Sequence, residues 1–148
     1  MTAGAPLRAT LLASAYPHGP QALGLGVDIC EIDRIEEALG RHGQKFLDRI
    51  CAPGELKRPL ESRRIGEHVA GLFAAKEAAM KALGTGMQGA SFQEIAVAHE
   101  PSGRPRLVLT GRARARADAL GVTAAHVTIT HGRREAVAVV LLLGRGPA

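Results

Sequence analysis

The sequence predicts a single α+β domain in which one long helix packs on an antiparallel sheet. Three observations support this class: an alanine-rich helical pattern over residues 66–83, period-two alternation of apolar residues in several short segments, and a hairpin-like succession of such segments after residue 90. The 148 residues, 46% of them hydrophobic, suffice for one core without disulfides or a structural metal. We assign residues 1–22 to a flexible N-terminal extension and residues 23–148 to the domain.

The domain is predicted to begin with a strand and a short helix. In residues 23–30 the odd-numbered positions are all Leu, Val or Ile, whereas Asp28 and the other even-numbered positions carry Gly, Asp or Cys. This period of two predicts a strand with Asp28 on the face opposite the aliphatic side chains. Ile32, Ile35 and Leu39 then recur at helical spacing, which predicts a helix directly after the strand.

The central part of the chain contains the clearest helix. Phe46, Leu47 and Ile50 predict one or two helical turns that end at residues 51–54, and the charged residues 55–64 predict a partly helical surface segment. The long helix covers residues 66–83. Its apolar side chains form one broad stripe and Gly84 ends it; the stripe consists of Val69, Leu72, Phe73, Met80 and Leu83.

Four more strands and one helix are predicted in the second half. The strands cover residues 91–98, 106–109, 126–130 and 136–143, and the helix covers residues 111–120 with Thr110 as its N-cap. Polar turns at residues 101–105 and 132–134 separate successive strands. The pattern does not determine the order of the strands in the sheet.

The charge and the aromatic content narrow the choice of partners. A net charge of +5 favours polyanions, acidic proteins or phosphorylated small molecules. Aromatic residues make up only 3% of the chain, which disfavours base stacking and hence a nucleic-acid module. Arg112, Arg114 and Arg116 are spaced two apart on the predicted helix, so they indicate a solvated collar more than a contact stripe.

The cysteines and apolar runs predict a cytoplasmic protein without a membrane segment. Cys30 and Cys51 are too few and too far apart for a metal knuckle or a redox pair, which fits a reducing compartment. No apolar run approaches the roughly 18 residues that a membrane span needs. Residues 1–21 lack the basic start and the long apolar core of a secretory signal.

The charged residues in two segments allow two interpretations. An ionised Asp28 in an apolar strand is costly unless a cation meets it, and that cation is either an arginine such as Arg34 or a metal ion. Glu77 and Lys81 form an i,i+4 pair in the favourable orientation, which is typical of an exposed helix face and makes that interpretation stronger for Glu77 than for Asp28. Lys76 and Lys81 are either ordinary surface lysines or contacts for phosphate groups.

A resemblance to a known family changes this balance. Residues 24–34 and 73–81, closed by Gly84-Thr85-Gly86, resemble the 4'-phosphopantetheinyl transferases and specifically the small holo-acyl-carrier-protein synthases. The resemblance covers the chain from about residue 23 to residue 143. It includes three later segments, which are residues 91–95, 103–105 and 126–131.

The resemblance implies a reaction and roles for individual residues. The serine hydroxyl of an apo-acyl carrier protein attacks the β-phosphorus of coenzyme A, which leaves 3',5'-ADP and a carrier with 4'-phosphopantetheine. Asp28 and Glu77 match the magnesium ligands, Glu77 or a water that it holds is the candidate base, and Lys81 adds positive charge near the leaving group. The residues implied for coenzyme A are Lys76, Lys81, Gly84, Thr85, Gly86, Gly103, Arg104, Pro105 and His131.

The resemblance also implies partners and an assembly. Arg34 would face an acidic acyl carrier protein, with Arg41 and Lys45 extending the basic patch, and the chain would form a homotrimer with sites at subunit interfaces. Leu72 occupies a position at which members often carry arginine. Two other functions compete: a non-catalytic carrier-binding module of the same fold, and a basic domain that binds nucleic acid or phosphate. Asp28, Glu77 and Lys81 together favour the enzyme.

Overall fold

The order of elements in the chain places one long helix between two groups of strands. The computed structural model describes residues 19–86 and 88–145, so most of the predicted extension lies outside the described residues. The elements are β1 Gln21–Glu31, α1 Ile32–His42, α2 Gln44–Ile50, α3 Ile65–Leu83, a 3-10 turn Phe92–Glu94, β2 Ile95–His99, β3 Pro105–Leu109, α4 Gly111–Leu120, β4 Val122–His131 and β5 Glu135–Gly144. This confirms the predicted α+β class. β1 begins two residues before the predicted start of the domain.

All strand pairs are antiparallel and form two sheets. One sheet has the order β1-β5-β4, and the other is the hairpin of β2 and β3. Val27 of β1 pairs with Val139 of β5, which in turn pairs with Thr128 of β4. The C-terminal strand therefore lies in the middle of the larger sheet, an order that local sequence patterns do not reveal.

The contact between α3 and the larger sheet is unusually close. The side of the helix that faces the sheet is rich in alanine, and Ala74, Ala75 and Ala78 are all fully buried. A Cβ atom on Gly26 of β1 would overlap the carbonyl oxygen of Ala78 and lie 2.8 Å from its carbon. Only glycine fits where the helix backbone meets the strand backbone.

This contact determines which face of β1 is covered. The face with Gly26, Asp28 and Cys30 lies against α3, and the aliphatic face points outward, as the predicted opposition of Asp28 and the aliphatic residues requires. Leu25 and Ile29 are therefore 68% and 61% exposed in the single chain. Their cross-strand partners on β5, Leu141 and Val137, extend this apolar outer face.

Two predicted elements are wrong. Residues 51–64 form turns without a helix, and the segment is not wholly on the surface, because the side chain of Glu55 is buried. The strand predicted over residues 91–98 begins only at Ile95. Glu94 accepts a hydrogen bond from the Ser91 N–H at 3.1 Å and closes a 3-10 turn in place of extended backbone. Among the described residues, we find no helix with the length and apolar character needed to cross a bilayer.

We expect Gly26→Ala to destabilise the protein strongly, because its Cβ has no space beneath α3. Thermal denaturation measures the effect as a lower Tm. Gly40→Ala in α1 is the control, since a Cβ there meets nothing within 4 Å and alanine favours a helix by about 1 kcal/mol over glycine. Equal Tm values for the Gly26→Ala variant and the wild type would contradict the close contact.

Candidate functional site

The contact between α3 and β1 brings together three of the predicted site residues. Asp28 follows Gly26 by two positions on the same face of β1, and Glu77 precedes Ala78 on α3. One helical turn later, Lys81 donates hydrogen bonds from Nζ to Asp28 Oδ1 at 3.1 Å and to the Val27 carbonyl at 2.9 Å. Two carboxylates and an ammonium group therefore converge at one end of the helix.

The electrostatics of Glu77 show that the two carboxylates act on each other. Partial burial is the main cause that raises the pKa of Glu77, and the negative charge of Asp28 raises it further, while Lys81 opposes the shift. A divalent cation between the carboxylates would relieve their repulsion. The local charge thus favours a bound cation.

The donor set at this position fits magnesium. In the parts of the chain that the structure describes, no three His, Cys, Asp or Glu side chains cluster as a metal-binding group, so a metal ion here would have two carboxylates, Asp28 and Glu77, as side-chain ligands of this kind. Magnesium is commonly held by one or two carboxylates together with substrate phosphates and water. Asp28 and Glu77 would hold the ion, with the remaining ligands from a phosphorylated substrate.

A pocket of about 670 Å³ extends from Asp28 toward α1. Arg34 and Phe46 line it with Phe73 of α3, so Arg34 and Asp28 share one pocket. Arg41 and Lys45 are exposed at the end of α1 and the start of α2, and neither lines this pocket.

The glycine turn follows Lys81 directly. Gly84 ends α3 in the left-handed conformation at φ 70°, and the Thr85 N–H donates to the Met80 carbonyl at 3.2 Å. Gly86 also has a positive φ of 58°, so the turn depends on glycine at two positions. The predicted Gly84-Thr85-Gly86 segment therefore begins three residues after Lys81, at the C-terminal end of α3.

The arginine collar predicted on α4 is only partly correct. Arg114 is exposed and pairs with Asp118, as a solvated residue would. Arg112 and Arg116 instead contact the backbone of the segment around the glycine turn, through the carbonyls of Gln88 and Leu83. The signal in the sequence was their i,i+4 spacing, which places both on the same helix face.

The remaining predicted residues form a second cluster elsewhere. Gly103, Pro105 and His131 line a cleft of about 230 Å³, and His131 Nδ1 lies 2.7 Å from Glu67 Oε1. Arg104 is directed to His126 instead, with 3.5 Å between Nη2 and Nδ1.

This cleft is rich in positive charge. Arg58 and Arg64 line it together with His68 and His99, and so does Leu72, at the position where family members often carry arginine. Burial is the main cause that lowers the pKa of His68. Arginines from outside α3 thus supply positive charge to the cleft that Leu72 lines.

The two clusters lie at different places along α3. Glu67 contacts His131 in the first turn, whereas Glu77 is ten residues further on, which at 1.5 Å per residue is about 15 Å of helix. The structure therefore does not join His131, Gly103 and Pro105 to the carboxylate pair within one chain.

Comparison with known proteins establishes the family. A model of the 4'-phosphopantetheinyl transferase superfamily matches residues 24–140. The chain belongs to this superfamily. The holo-[acyl-carrier-protein] synthase of Solidesulfovibrio magneticus is 52% identical over 124 residues, which cover 82% of this chain and 98% of that protein.

Solved structures of other superfamily members share the fold. The holo-ACP synthase of Plasmodium yoelii is 26% identical with a TM-score of 0.77 and covers 87% of this chain and 100% of its own. The Helicobacter pylori holo-[acyl-carrier-protein] synthase, in complex with coenzyme A, is 32% identical with a TM-score of 0.69 and covers 80% of this chain and 98% of its own.

In this transferase the expectation that Lys76 contacts coenzyme A is wrong. The Lys76 side chain is fully buried, and Nζ donates to Glu55 Oε1 at 2.7 Å, to the Phe92 carbonyl at 3.0 Å and to the Ile95 carbonyl at 2.6 Å. All three donors of the ammonium group are used, so none is free for a phosphate. Burial lowers the pKa of Lys76, and the hydrogen bond and charge of Glu55 oppose this.

Glu55 is a structural residue that the sequence pattern did not reveal. Its Oε1 also accepts the Ala52 N–H at 3.1 Å, and its Oε2 accepts the Val97 N–H. The ion pair thereby ties the 51–55 turns and β2 to the middle of α3. A charged residue in a charged segment gives no sign in the sequence that its partner lies on a buried helix face.

The two lysines on α3 should respond differently to substitution. Lys76→Met leaves Glu55 buried without its cation, which we expect to destabilise the protein by about 3 kcal/mol or more. Lys81→Met removes a side chain that is 55% exposed, so it should lower transferase activity at nearly unchanged Tm. Thermal denaturation and transfer assays measure both effects. A Lys76→Met variant with the wild-type Tm and a selective loss of transfer would contradict the structural role and support a contact between Lys76 and coenzyme A.

Proposed function

We propose that this protein transfers the 4'-phosphopantetheine group from coenzyme A to a serine of an apo-acyl carrier protein, with release of 3',5'-ADP. The observation that carries the proposal is the convergence of Asp28, Glu77 and Lys81 beside a glycine turn. A chain of the superfamily that is 52% identical to a holo-[acyl-carrier-protein] synthase supplies the substrate class. The intact constellation favours catalysis over a carrier-binding module without activity.

The side chains of the site have separate tasks in this reaction. The serine oxygen forms a bond to the β-phosphorus of coenzyme A while the bond between that phosphorus and the oxygen of the 3',5'-ADP leaving group breaks. Glu77, directly or through a water that it holds, is the proposed acceptor of the serine proton. Lys81 would stabilise the developing negative charge of the leaving phosphate.

Asp28 and Glu77 are the proposed magnesium ligands. When bound, magnesium would neutralise charge on the diphosphate of coenzyme A. Asp28 already engages Lys81 at 3.1 Å, so its carboxylate can orient the ammonium group as well as hold the ion. The two carboxylates come from different elements, so the site requires the packing of α3 on β1.

Loss of either carboxylate should abolish transfer without unfolding the protein. Asp28→Ala and Glu77→Ala each remove one proposed ligand, and chelation of magnesium should have the same effect on the wild type. Intact mass spectrometry of an apo-carrier incubated with enzyme, coenzyme A and magnesium measures the transfer. Glu61→Ala is the control, because Glu61 is an exposed carboxylate in the 51–64 turns. Near wild-type transfer by Asp28→Ala in saturating magnesium would refute the metal site.

The acidic carrier is proposed to bind the surface formed by Arg34, Arg41 and Lys45. All three are exposed, and Arg34 lines the same pocket as Asp28. A positively charged surface beside the reacting groups would attract an acidic partner and orient its serine. The net charge of +5 acts in the same direction.

Reversal of the Arg34 charge should impair carrier use much more than coenzyme A binding. For Arg34→Glu we expect a higher KM for the carrier and a nearly unchanged KM for coenzyme A, and added salt should weaken carrier association to the wild type. Arg114→Glu is the matched control, because it makes the same change of charge on another exposed surface. A rate of carrier association that does not depend on salt, together with wild-type kinetics of Arg34→Glu, would show that Arg34 does not contact the carrier.

A homotrimer with shared sites is the proposed assembly. The outward face of β1 exposes Leu25, Val27 and Ile29 side by side, which a second copy of the chain would cover. Another chain would also be needed to bring a His131 cluster to each carboxylate pair. We propose the cytoplasm as the location, since Cys30 and Cys51 are both free thiols.

A further inference from the structure

Two of the three arginines on helix α4 contact the segment that follows α3, and the third pairs with an aspartate of α4 itself. Arg112 and Arg116 are four residues apart and share a helix face, whereas Arg114 lies on a different side. Arg114 Nε donates to Asp118 Oδ1 at 2.9 Å within the helix. The face with Arg112 and Arg116 meets the segment that follows α3.

Arg116 contacts the start of the glycine turn. Its Nε donates to the Leu83 carbonyl at 3.0 Å, one of the carbonyls at the end of α3 that has no partner within the helix. The guanidinium group lies over Gly84, where a Cβ atom would be 3.7 Å from Nη2. A cation at this position also interacts favourably with the helix dipole of α3.

Arg112 contacts the backbone at Gln88, two positions after Gly86 in the sequence. Its Nη1 donates to the Gln88 carbonyl at 3.1 Å, and its Nε lies 3.4 Å from Glu94 Oε1. Glu94 is itself held by the Ser91 N–H at 3.1 Å. The backbone before the glycine turn is therefore held by Arg116 of α4. The backbone at Gln88 is held by Arg112 of α4, which also pairs with Glu94 of the 3-10 turn.

Hydrogen bonds to the neighbouring backbone restrict the conformations that a glycine turn can adopt. Gly84 and Gly86 both adopt positive φ, and glycine loses more conformational entropy than other residues when its backbone is fixed. Ordering the turn before the ligand arrives lowers the entropic cost of binding.

We propose that Arg112 and Arg116 are positioning residues for coenzyme A, which hold the glycine turn Gly84-Thr85-Gly86 in its binding conformation by fixing the backbone at Leu83 before it and at Gln88 after it. The proposal rests on the proposed function and on the expectation that Gly84, Thr85 and Gly86 contact coenzyme A. Neither arginine contacts Asp28, Glu77 or Lys81, so the effect falls on binding of coenzyme A and leaves the chemical step unchanged.

The test compares single alanine variants of the three arginines on α4. Arg112→Ala and Arg116→Ala should raise the KM for coenzyme A about three- to tenfold, the contribution of one partly exposed charge-assisted hydrogen bond, with kcat within about twofold of the wild type. Arg114→Ala removes the same charge from the same helix and should leave both constants unchanged. Arg116→Lys should recover part of the loss, because an ammonium group can still donate to the Leu83 carbonyl.

A second measurement reports on the turn without any substrate. Hydrogen exchange of a peptide that covers residues 84–90 should be faster in Arg112→Ala and Arg116→Ala than in the wild type and Arg114→Ala. Provided that the wild-type protein transfers phosphopantetheine, either of two results would overturn the proposal. These are a wild-type rate of exchange in both variants, or coenzyme A kinetics that match those of Arg114→Ala. Absence of transfer by the wild type would instead overturn the proposed function.

Discussion

The candidate site depends on the contact between the backbone of α3 and the backbone of β1. Gly24 and Gly26 admit the helix so closely that a Cβ on either would overlap a carbonyl oxygen of α3, that of Ala82 or Ala78. Asp28 is two residues beyond Gly26, and Glu77 is adjacent to Ala78, so the same contact that packs the core sets the carboxylates beside each other. A larger residue at Gly24 or Gly26 would move Asp28 and Glu77 apart as well as destabilise the fold.

A buried ion pair fixes the helix from its other side. Lys76 and Glu55 are almost fully buried, and together they bind backbone groups of the 51–55 turns, the 3-10 turn and β2. Lys76 is adjacent to Glu77 in sequence, but its side chain is buried against Glu55 whereas Glu77 lies toward Asp28. Neighbouring charged residues on α3 thus have different surroundings.

Local patterns predicted the elements that depend on local periodicity. The period of two in β1 correctly placed Asp28 opposite the aliphatic residues, and the alanine-rich stripe correctly gave α3 and its end at Gly84. The pattern could not show that Lys76 is buried, because its partner Glu55 is 21 residues away in a segment that looks like charged surface. The roles of Arg112 and Arg116 were missed for a similar reason, since their partners are backbone carbonyls in a distant turn.

Family resemblance predicted sites shared between subunits, and in the single chain the predicted site residues lie in two clusters. Asp28, Glu77 and Lys81 lie at the end of α3, whereas His131, Gly103 and Pro105 lie near its beginning, about 15 Å away along the helix. A long ligand such as coenzyme A can use both clusters if neighbouring chains present one each. The exposed aliphatic face of β1 offers a surface through which copies could assemble.

The direct test of this divided site is complementation between two inactive variants. Asp28→Ala and His131→Ala chains are mixed under denaturing conditions, refolded together and assayed for transfer to an apo-carrier, with each variant refolded alone as the control. The shared site predicts an assembly three times the 15.5 kDa mass of the chain and activity in the mixture that neither variant shows alone. A fully active monomer at nanomolar concentration would contradict the shared site, and a trimer without recovered activity would contradict the role of His131 across the interface.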